Sequence, residues 1–307
     1  MSIADIPWPE DAFPAGCAFM DGRFTPMADA RLPVLDWGFL RSDATYDVAH
    51  VWKGRFFRLD AHLDRFLASV EKMRMTLPVD RKQVSHILAE CVRRSGLEDA
   101  YVEMICTRGM SPTFDRDPRK ARNRFIAFAI PFGWIANAEQ RERGMRVHIS
   151  DIPRIPAASV DPTVKNYHWI DIVQGMFQAY ERDAETVLLS DGQGGVTEGP
   201  GFNLFVVKDG RVATPAAGVL EGITRRTAMD LCAELQIQAE ARIVSAEETR
   251  GADELFLTST AGGIIPATIV DGAAVGHGAV GPITRRLIER YWAKHTDPAW
   301  TTPVADL

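Results

Sequence analysis

One lysine and its neighbours could supply an amine that reacts with a carbonyl group. Residues 161–166 form a Pro-containing turn that ends in Lys165 and Asn166, and the aromatic residues Tyr167 and Trp169 follow closely. A lysine amine that has lost part of its hydration attacks an aldehyde to form an imine and can later carry a proton. On the residues alone, an ordinary solvated surface lysine is the alternative.

A carboxylate that could act on a heteroaromatic ring comes next along the chain. Glu198 stands directly before Gly199, Pro200 and Gly201, a turn that leads into a predicted strand. Placed against a pyridine nitrogen, such a carboxylate holds the nitrogen protonated, so the ring withdraws electrons from a substrate carbanion. A solvent-exposed acid before a turn is the alternative.

Two further segments could bind a phosphate group. Gly222 precedes Ile223 and Thr224, which begin a predicted helix. The first amides of a helix lack internal partners and lie at its positive end, where an anion is stabilised. Residues 258–263 combine hydroxyl side chains with two glycines, which let the backbone approach an anion closely. A self-capped helix and a plain turn are the alternatives.

Together, these segments meet the needs of pyridoxal phosphate (PLP), and their order and spacing resemble the class IV aminotransferases. That group has the fold type IV PLP scaffold, and the chain is most similar to its (R)-selective amine transaminases, from about residue 17 to residue 292. The resemblance implies that Lys165 holds PLP as an imine, that Glu198 pairs with the ring nitrogen and that Leu220 lies against the ring. It assigns phosphate contacts to Arg65, Ile223, Thr224 and Thr260.

The substrate pocket can be predicted partly from strand alternation. Tyr46, Val48 and His50 share one face of a predicted strand, and Tyr101 and Glu103 share one face of another. Ordinary core packing is the alternative for these side chains. The resemblance places the following residues around the substrate: Arg41, Tyr46, Val48, Tyr101, Glu103, Trp169 and Ala261.

Several arginines could bind a substrate carboxylate. Many relatives carry His at the position of Arg41, and an arginine there would add affinity for carboxylated substrates. The loop 109–123 contains Arg116, Arg119 and Arg122, any of which could form a movable carboxylate clamp. The alternative is that all three are solvated.

The resemblance implies a ping-pong transaminase that moves an amino group from an (R)-configured primary amine to a keto acid such as pyruvate. Family members are homodimers with the active site at the subunit interface. A D-amino acid or branched-chain amino acid aminotransferase, and an aminodeoxychorismate-type lyase, share the core residues and are alternatives. A cofactor-binding protein without turnover is disfavoured, because it has no need of both Lys165 and Glu198.

Hairpins and helices alternate irregularly along the chain, which predicts an α+β fold. Turns with Gly at the second position are expected at residues 21–22, 53–54, 209–210 and 271–272. Helices are expected at 80–96, 169–184, 224–235 and 282–294, and another is expected to begin at Asp60. The polar segment 136–144 is the predicted linker between a smaller N-terminal α/β domain (1–135) and a larger C-terminal PLP-binding domain (145–307) with a pseudo-barrel of mixed strands.

Composition narrows the class of protein further. The 307 residues carry a formal charge of -6, which argues against nucleic-acid binding. No secretory signal and no membrane-spanning apolar stretch are evident. The four cysteines lie far apart without metal-ligand spacing, which predicts buried thiols, no metal site and a cytoplasmic location.

Overall fold

The computed structural model describes residues 16–113 and 115–307, and tertiary contacts divide them into two compact units. The first unit comprises the described residues up to Gly133, together with Lys165–Tyr167 and Pro298–Leu307. The second comprises Trp134–Val164 and His168–Asp297. The domain boundaries drawn from the sequence stay a prediction.

Within the described residues, the first unit contains a seven-stranded antiparallel sheet of order β16-β4-β3-β5-β6-β1-β2. Its strands are β1 (Cys17–Met20), β2 (Arg23–Pro26), β3 (Ala44–Trp52), β4 (Arg55–Phe57), β5 (Ala100–Met110), β6 (Arg122–Pro131) and β16 (Thr301–Pro303). Its helices are α1 (Trp37–Arg41), α2 (Leu59–Lys72) and α3 (Arg81–Ser95).

Helix α3 confirms the prediction made from its end signals. The Asp80 side chain accepts a hydrogen bond from the backbone N–H of Gln83, whose own side chain reaches back to the Asp80 backbone. This capping box satisfies amides that the first turn would otherwise leave unpaired. Gly96 ends the helix in the left-handed region at φ 69°.

The hydrophobic core of the first unit covers one face of its sheet and leaves the other face for the candidate site. Helices α2 and α3 bury their apolar sides against Ala49 and Val51 of β3 and against Val102 and Met104 of β5. A fully buried Leu63 side chain in this cluster contributes about 1.5–3 kcal/mol to folding. Because side chains alternate along a strand, the intervening residues of β3 and β5 lie on the opposite face.

The second unit contains, in the residues described, a nine-stranded mixed sheet of order β12-β11-β10-β13-β14-β7-β8, with β9 paired to β10 and β15 to β14. Its strands are β7 (Met145–Pro153), β8 (Thr186–Ser190), β9 (Glu198–Gly199), β10 (Phe202–Lys208), β11 (Arg211–Pro215), β12 (Ala239–Arg242), β13 (Glu254–Ser259), β14 (Gly263–Val270) and β15 (Ala273–Ala274). Its helices are α4 (Ala138–Arg143), α5 (Ile170–Tyr180), α6 (Ile223–Glu234), α7 (Ala246–Arg250) and α8 (Pro282–Ala293). Helices mixed irregularly with strands confirm the predicted α+β class.

All four predicted hairpin turns are present. Each has two successive residues at positive φ, for example Asp209 at 48° and Gly210 at 73°. That backbone twist matches the twist of the flanking antiparallel strands. Within the described part of the chain, none of the helices has the length and apolarity needed to cross a membrane.

Candidate active site

In the first unit, the backbone of Lys165 is fixed to the start of β3. The Lys165 carbonyl accepts hydrogen bonds from the Thr45 hydroxyl at 2.7 Å and from the Tyr46 backbone N–H at 3.1 Å. The half-buried Lys165 Nζ lies 4.4 Å from the centroid of the Tyr46 ring. An aromatic face at this distance attracts the protonated amine. Lys165 is therefore held in place by both its backbone and its side chain.

An acid–tyrosine cluster, made of Tyr46, Tyr101, Glu103 and Tyr167, lies beside Lys165. The Tyr46 and Tyr167 rings stack with centroids 4.2 Å apart. The Tyr167 hydroxyl donates to Glu103 Oε1 at 2.6 Å, and the Tyr101 hydroxyl donates to Oε2 at 3.1 Å. Burial raises the pKa of the Glu103 carboxyl, and the two hydroxyl bonds oppose that rise only in part.

Strand register places the predicted substrate residues of β3 and β5 on one face of the sheet. Val48 pairs with Glu103, and His50 pairs with Tyr101. Paired residues project to the same side, so Val48 belongs to the face that carries the acid–tyrosine cluster. Tyr167, which the sequence analysis used only as an aromatic neighbour of Lys165, is a member of the cluster.

Arg65, the predicted phosphate cation, is oriented by a buried carboxylate. Its Nε and Nη2 donate to Asp47 Oδ2 at 2.7 Å and to Oδ1 at 2.9 Å, and His62 Nδ1 lies 2.8 Å from Oδ1. Burial would raise the pKa of Asp47, but Arg65 and His62 hold it well below its usual range. Sequence analysis missed Asp47 and His62, although strand alternation next to Tyr46 directs Asp47 toward α2.

The other candidate arginines of the first unit lie at the surface. Arg41 is exposed, and its guanidinium carbon is 3.6 Å from the centroid of the Trp37 ring. Arg119 donates from Nε and Nη2 to its neighbour Asp117 at 2.8 and 2.7 Å. Arg116 and Arg122 are exposed. Their roles toward a substrate carboxylate stay a prediction.

In the second unit, Glu198 is buried on β9 and is held by three donors. The Leu220 backbone N–H donates to Glu198 Oε2 at 2.8 Å, and Asn203 Nδ2 lies 3.4 Å from the same oxygen. Arg154 Nε donates to Oε1 at 3.3 Å. Hydrogen bonds from such donors are stronger when the acceptor is an ionised carboxylate. The three donors thus fix the orientation of the Glu198 carboxylate.

Arg154 lies between two buried carboxyl groups. Its Nη1 donates to Asp171 Oδ2 at 2.7 Å, and the Ile155 backbone N–H donates to the same oxygen at 2.9 Å. Burial would lower the pKa of Arg154, but the bond to Asp171 and the charge of Glu198 raise it. Sequence analysis missed Arg154, because the two carboxylates that define its role are distant along the chain.

The N-terminus of α6 has no side-chain cap and packs closely against Asn203. Its N-cap residue, Gly222, provides no side-chain cap, so the amides of Ile223 and Thr224 keep their bonding capacity. A Cβ at Gly222 would lie 2.2 Å from Asn203 Oδ1. Asn203 Nδ2 in turn donates to the Leu220 carbonyl at 2.9 Å. These contacts tie the helix start to the segment that carries Glu198.

The remaining predicted residues of the second unit are half-buried. Thr260 and Ala261 lie in the turn between β13 and β14, and the Ala261 carbonyl accepts a hydrogen bond from Ile135 N–H at 2.9 Å. Trp169 is the N-cap residue of α5. At the end of β13, Thr258 Oγ1 is buried without a hydrogen-bond partner among the described residues.

The second unit thus fits a phosphorylated pyridine in three respects. Glu198 offers an oriented carboxylate, the start of α6 offers uncapped amides, and Thr258 leaves an unpaired buried hydroxyl. The first unit offers the amine of Lys165 beside Tyr46. Each of these residues therefore lies in surroundings that suit its predicted role, while the roles themselves stay predictions.

Comparison with known proteins identifies the family. The family model described as amino-transferase class IV matches residues 44–270. A putative branched-chain-amino-acid aminotransferase of Methanocaldococcus jannaschii is 30% identical over 291 residues, which cover 94% of this chain and 99% of the relative. The D-alanine aminotransferase of Bacillus licheniformis is 27% identical over 270 residues, which cover 87% of this chain and 93% of the relative.

Solved structures agree with this result. The branched-chain aminotransferase of the archaeon Thermoproteus uzoniensis with norvaline superposes with a TM-score of 0.86 at 27% identity, over 94% of this chain and 99% of that one. The PLP-form (holo-form) branched-chain amino acid aminotransferase of Thermobaculum terrenum gives a TM-score of 0.85 at 25% identity, over 95% and 99%. The chain therefore belongs to the class IV aminotransferase family, and it is a transaminase that has the fold type IV architecture and uses pyridoxal phosphate.

Proposed function

We propose that this transaminase moves an amino group from an (R)-configured primary amine to a keto acid such as pyruvate. The observation that carries the proposal is the acid–tyrosine cluster beside Lys165. Two tyrosine hydroxyls, and not a guanidinium, meet the buried Glu103 carboxyl. A buried carboxyl group at this place offers no positive charge for a substrate carboxylate, and its ionised form would repel one. An amine without a carboxylate suits such surroundings better than an amino acid does.

The proposed roles of the residues follow from their chemistry. When bound, PLP supplies an aldehyde carbon and an electron-withdrawing ring. Lys165 Nζ holds the cofactor between turnovers and carries a proton to and from the amine-bearing carbon of the substrate. Glu198 keeps the ring nitrogen protonated. The amides of Ile223 and Thr224, with Arg65 and Thr260, bind the phosphate.

Exposed apolar side chains in each unit support the homodimer that the resemblance implies. On α5 they are spaced for one helix face: Ile170 is 75% exposed, Val173 44%, Phe177 64% and Tyr180 50%. In the first unit, Val34 is 68% exposed and Phe39 66%. Contiguous exposed apolar residues mark surfaces that another chain covers. We propose that a second copy covers them, with the active site at that interface.

A reducing, cytoplasmic location is part of the same proposal. All four cysteines are free and buried in the structure. Free thiols persist where the cell keeps them reduced.

The second candidate is a D-amino acid or branched-chain amino acid aminotransferase. The names of the relatives favour it, since they include a branched-chain and a D-alanine enzyme. Such an activity would use a cation for the substrate carboxylate, and the candidates are Arg41, Arg116, Arg119 and Arg122. The lyase alternative has no comparable support among these names.

A substrate panel separates the candidates. We expect (R)-1-phenylethylamine with pyruvate to be turned over faster than its (S) enantiomer, and faster than D-alanine or L-leucine with 2-oxoglutarate. A preference for L-leucine or for D-alanine would replace the amine proposal with the corresponding alternative. Lys165→Ala should abolish turnover, while Lys208→Ala, at a surface lysine paired with Asp253, serves as the matched control.

A further inference from the structure

Asn203 occupies the middle of a row of polar residues in the second unit. It lies on β10, where it pairs with Glu198 of β9 on one side and with Thr258 of β13 on the other. Paired residues project to the same side of a sheet, so the three side chains share one face. Asn203 is 4% exposed. A buried amide needs hydrogen-bond partners, and those of Asn203 lie on the segments that carry the candidate site.

The donor end of the Asn203 amide binds the segment that orients Glu198. Asn203 Nδ2 donates to the Leu220 carbonyl at 2.9 Å and to Glu198 Oε2 at 3.4 Å. The Leu220 backbone N–H donates to the same Glu198 oxygen at 2.8 Å. An amide nitrogen carries two hydrogens, so Asn203 can serve both acceptors at once. One side chain thereby fixes Leu220 and Glu198 relative to each other.

The same side chain also fixes the start of α6. The Leu220 carbonyl that Asn203 binds accepts a second hydrogen bond, from the Gly222 backbone N–H at 2.8 Å. Gly222 packs so closely against the amide that a Cβ there would lie 2.2 Å from Asn203 Oδ1. Because Gly222 is the N-cap residue of α6, the amides of Ile223 and Thr224 follow directly from a residue in contact with Asn203.

We propose that Asn203 is a positioning residue that sets the distance between the Glu198 carboxylate and the amides at the start of α6. The proposal rests on the roles proposed for Glu198 and for this helix start. A ring nitrogen and a phosphate on one rigid molecule can bind both groups together only when that distance is right. The second group then binds without a further loss of translational freedom. Asn203 thus strengthens the binding of a ligand that carries both groups and has little effect on a ligand that carries one.

Replacement of Asn203 by leucine removes the amide and keeps a branched side chain of the same length. In Asn203→Leu, the Glu198 carboxylate keeps the Leu220 N–H and the Arg154 guanidinium, and the Leu220 carbonyl keeps the Gly222 N–H. Each half of the site therefore keeps its own donors, while the side chain that links the halves is lost. Asn203→Ser is too short to make the same contacts, and it repeats the test with a polar side chain.

The whole chain, freed of PLP, is titrated by calorimetry with three probes: 4-deoxypyridoxine phosphate, 4-deoxypyridoxine and inorganic phosphate. None of them has an aldehyde, so none forms a bond to Lys165. We expect Asn203→Leu to raise the Kd of 4-deoxypyridoxine phosphate about tenfold and to leave the Kd of each smaller probe within about twofold. Asn137→Leu, which removes the N-cap of α4, is the control for lost stability, and it should leave all three Kd values unchanged.

Two results would overturn the role of Asn203. One is an unchanged Kd of 4-deoxypyridoxine phosphate in Asn203→Leu, and the other is an equal rise in the Kd of either smaller probe. Glu198→Gln distinguishes this failure from failure of the proposed function. It should raise the Kd of 4-deoxypyridoxine, because the carboxylate for the ring nitrogen is lost, and leave that of inorganic phosphate unchanged. If it leaves both unchanged, the role given to Glu198 fails, and the role of Asn203 fails with it.

Discussion

Replacing Arg154 by methionine tests whether one guanidinium organises the Glu198 carboxylate. Methionine keeps much of the apolar stem of arginine but removes the charge that Asp171 and Glu198 share. The three side chains are buried, since Arg154 is 13% exposed, Asp171 9% and Glu198 10%. Arg154→Met therefore removes a guanidinium donor from two buried carboxyl groups within the second unit.

The expected cost follows from that burial. Removal of one partner from a buried ion pair lowers the free energy of unfolding by about 3–5 kcal/mol. Asp171 and Glu198 each keep a backbone N–H donor, at 2.9 and 2.8 Å, so we expect a loss at the lower end of that range. A loss of about 3 kcal/mol corresponds to a Tm lower by roughly 6–12 °C for a unit of this size.

The loss of stability in Arg154→Met should depend on pH. A buried carboxyl group without a cation costs more free energy when it is charged than when it is protonated, so the loss of Arg154 should destabilise the fold more at neutral pH than at low pH. We expect the difference in Tm between Arg154→Met and the unsubstituted protein to be larger at pH 8 than at pH 5. Addition of Asp171→Asn to the variant should restore at least about 1 kcal/mol, because one unpaired charge is removed.

Differential scanning calorimetry of the holoenzyme and the apoenzyme at both pH values measures these effects. Arg250→Met is the matched control, because Arg250 is 50% exposed in its pair with Asp271 and such a pair contributes about 0–1 kcal/mol. The kcat of Arg154→Met should fall roughly tenfold to a hundredfold, since Glu198 is less well oriented. An Arg154→Met variant as stable and as active as Arg250→Met would refute the reasoning.

Three further substitutions test other parts of the two units. Gly222→Ala places a Cβ 2.2 Å from Asn203 Oδ1, so the start of α6 must shift. We expect the Kd for PLP to rise about tenfold, as measured by fluorescence titration of the apoenzyme. Asp47→Asn removes the carboxylate that accepts a hydrogen bond from Arg65 at 2.7 Å. The free energy of unfolding, measured in urea, should fall by about 3 kcal/mol. Unchanged stability would show that the buried ion pair does not stabilise the fold. Tyr167→Phe keeps the ring stack but removes a hydroxyl bond that lowers the pKa of Glu103. The step that titration of Glu103 imposes on the pH profile of kcat/KM for the amine should therefore move to higher pH.

Local signals in the sequence predicted helices α2, α3, α5, α6 and α8 and four hairpin turns. Asp80 and Gly96 bound α3 because capping depends on residues that are neighbours along the chain. The Asp-Gly turns were predicted for the same reason. In contrast, β16, at Thr301–Pro303, extends the first sheet through pairing with β4, and no local pattern encodes a partner so distant along the chain.

The residues of the candidate site also divide into those that local sequence predicts and those that depend on distant contacts. Lys165 and Glu198 were selected from short motifs and a resemblance, while the residues that orient other members of the site depend on long-range contacts. Tyr167 reaches Glu103 across 64 positions, and Arg154 reaches Glu198 across 44. Asp47 lay next to a predicted residue, but only the packing of α2 on β3 shows that it holds Arg65.

The two glutamates of the site show why the family was easier to identify than the substrate. Glu198 is met by backbone and side-chain N–H donors and by a guanidinium. Glu103 is met by two hydroxyls, and burial raises its pKa. In the role proposed for it, Glu198 acts on the cofactor, and it stands in a short motif that the sequence shows directly. The cluster around Glu103, which we propose to select the substrate, arises from tyrosines on separate segments that only the folded chain brings together.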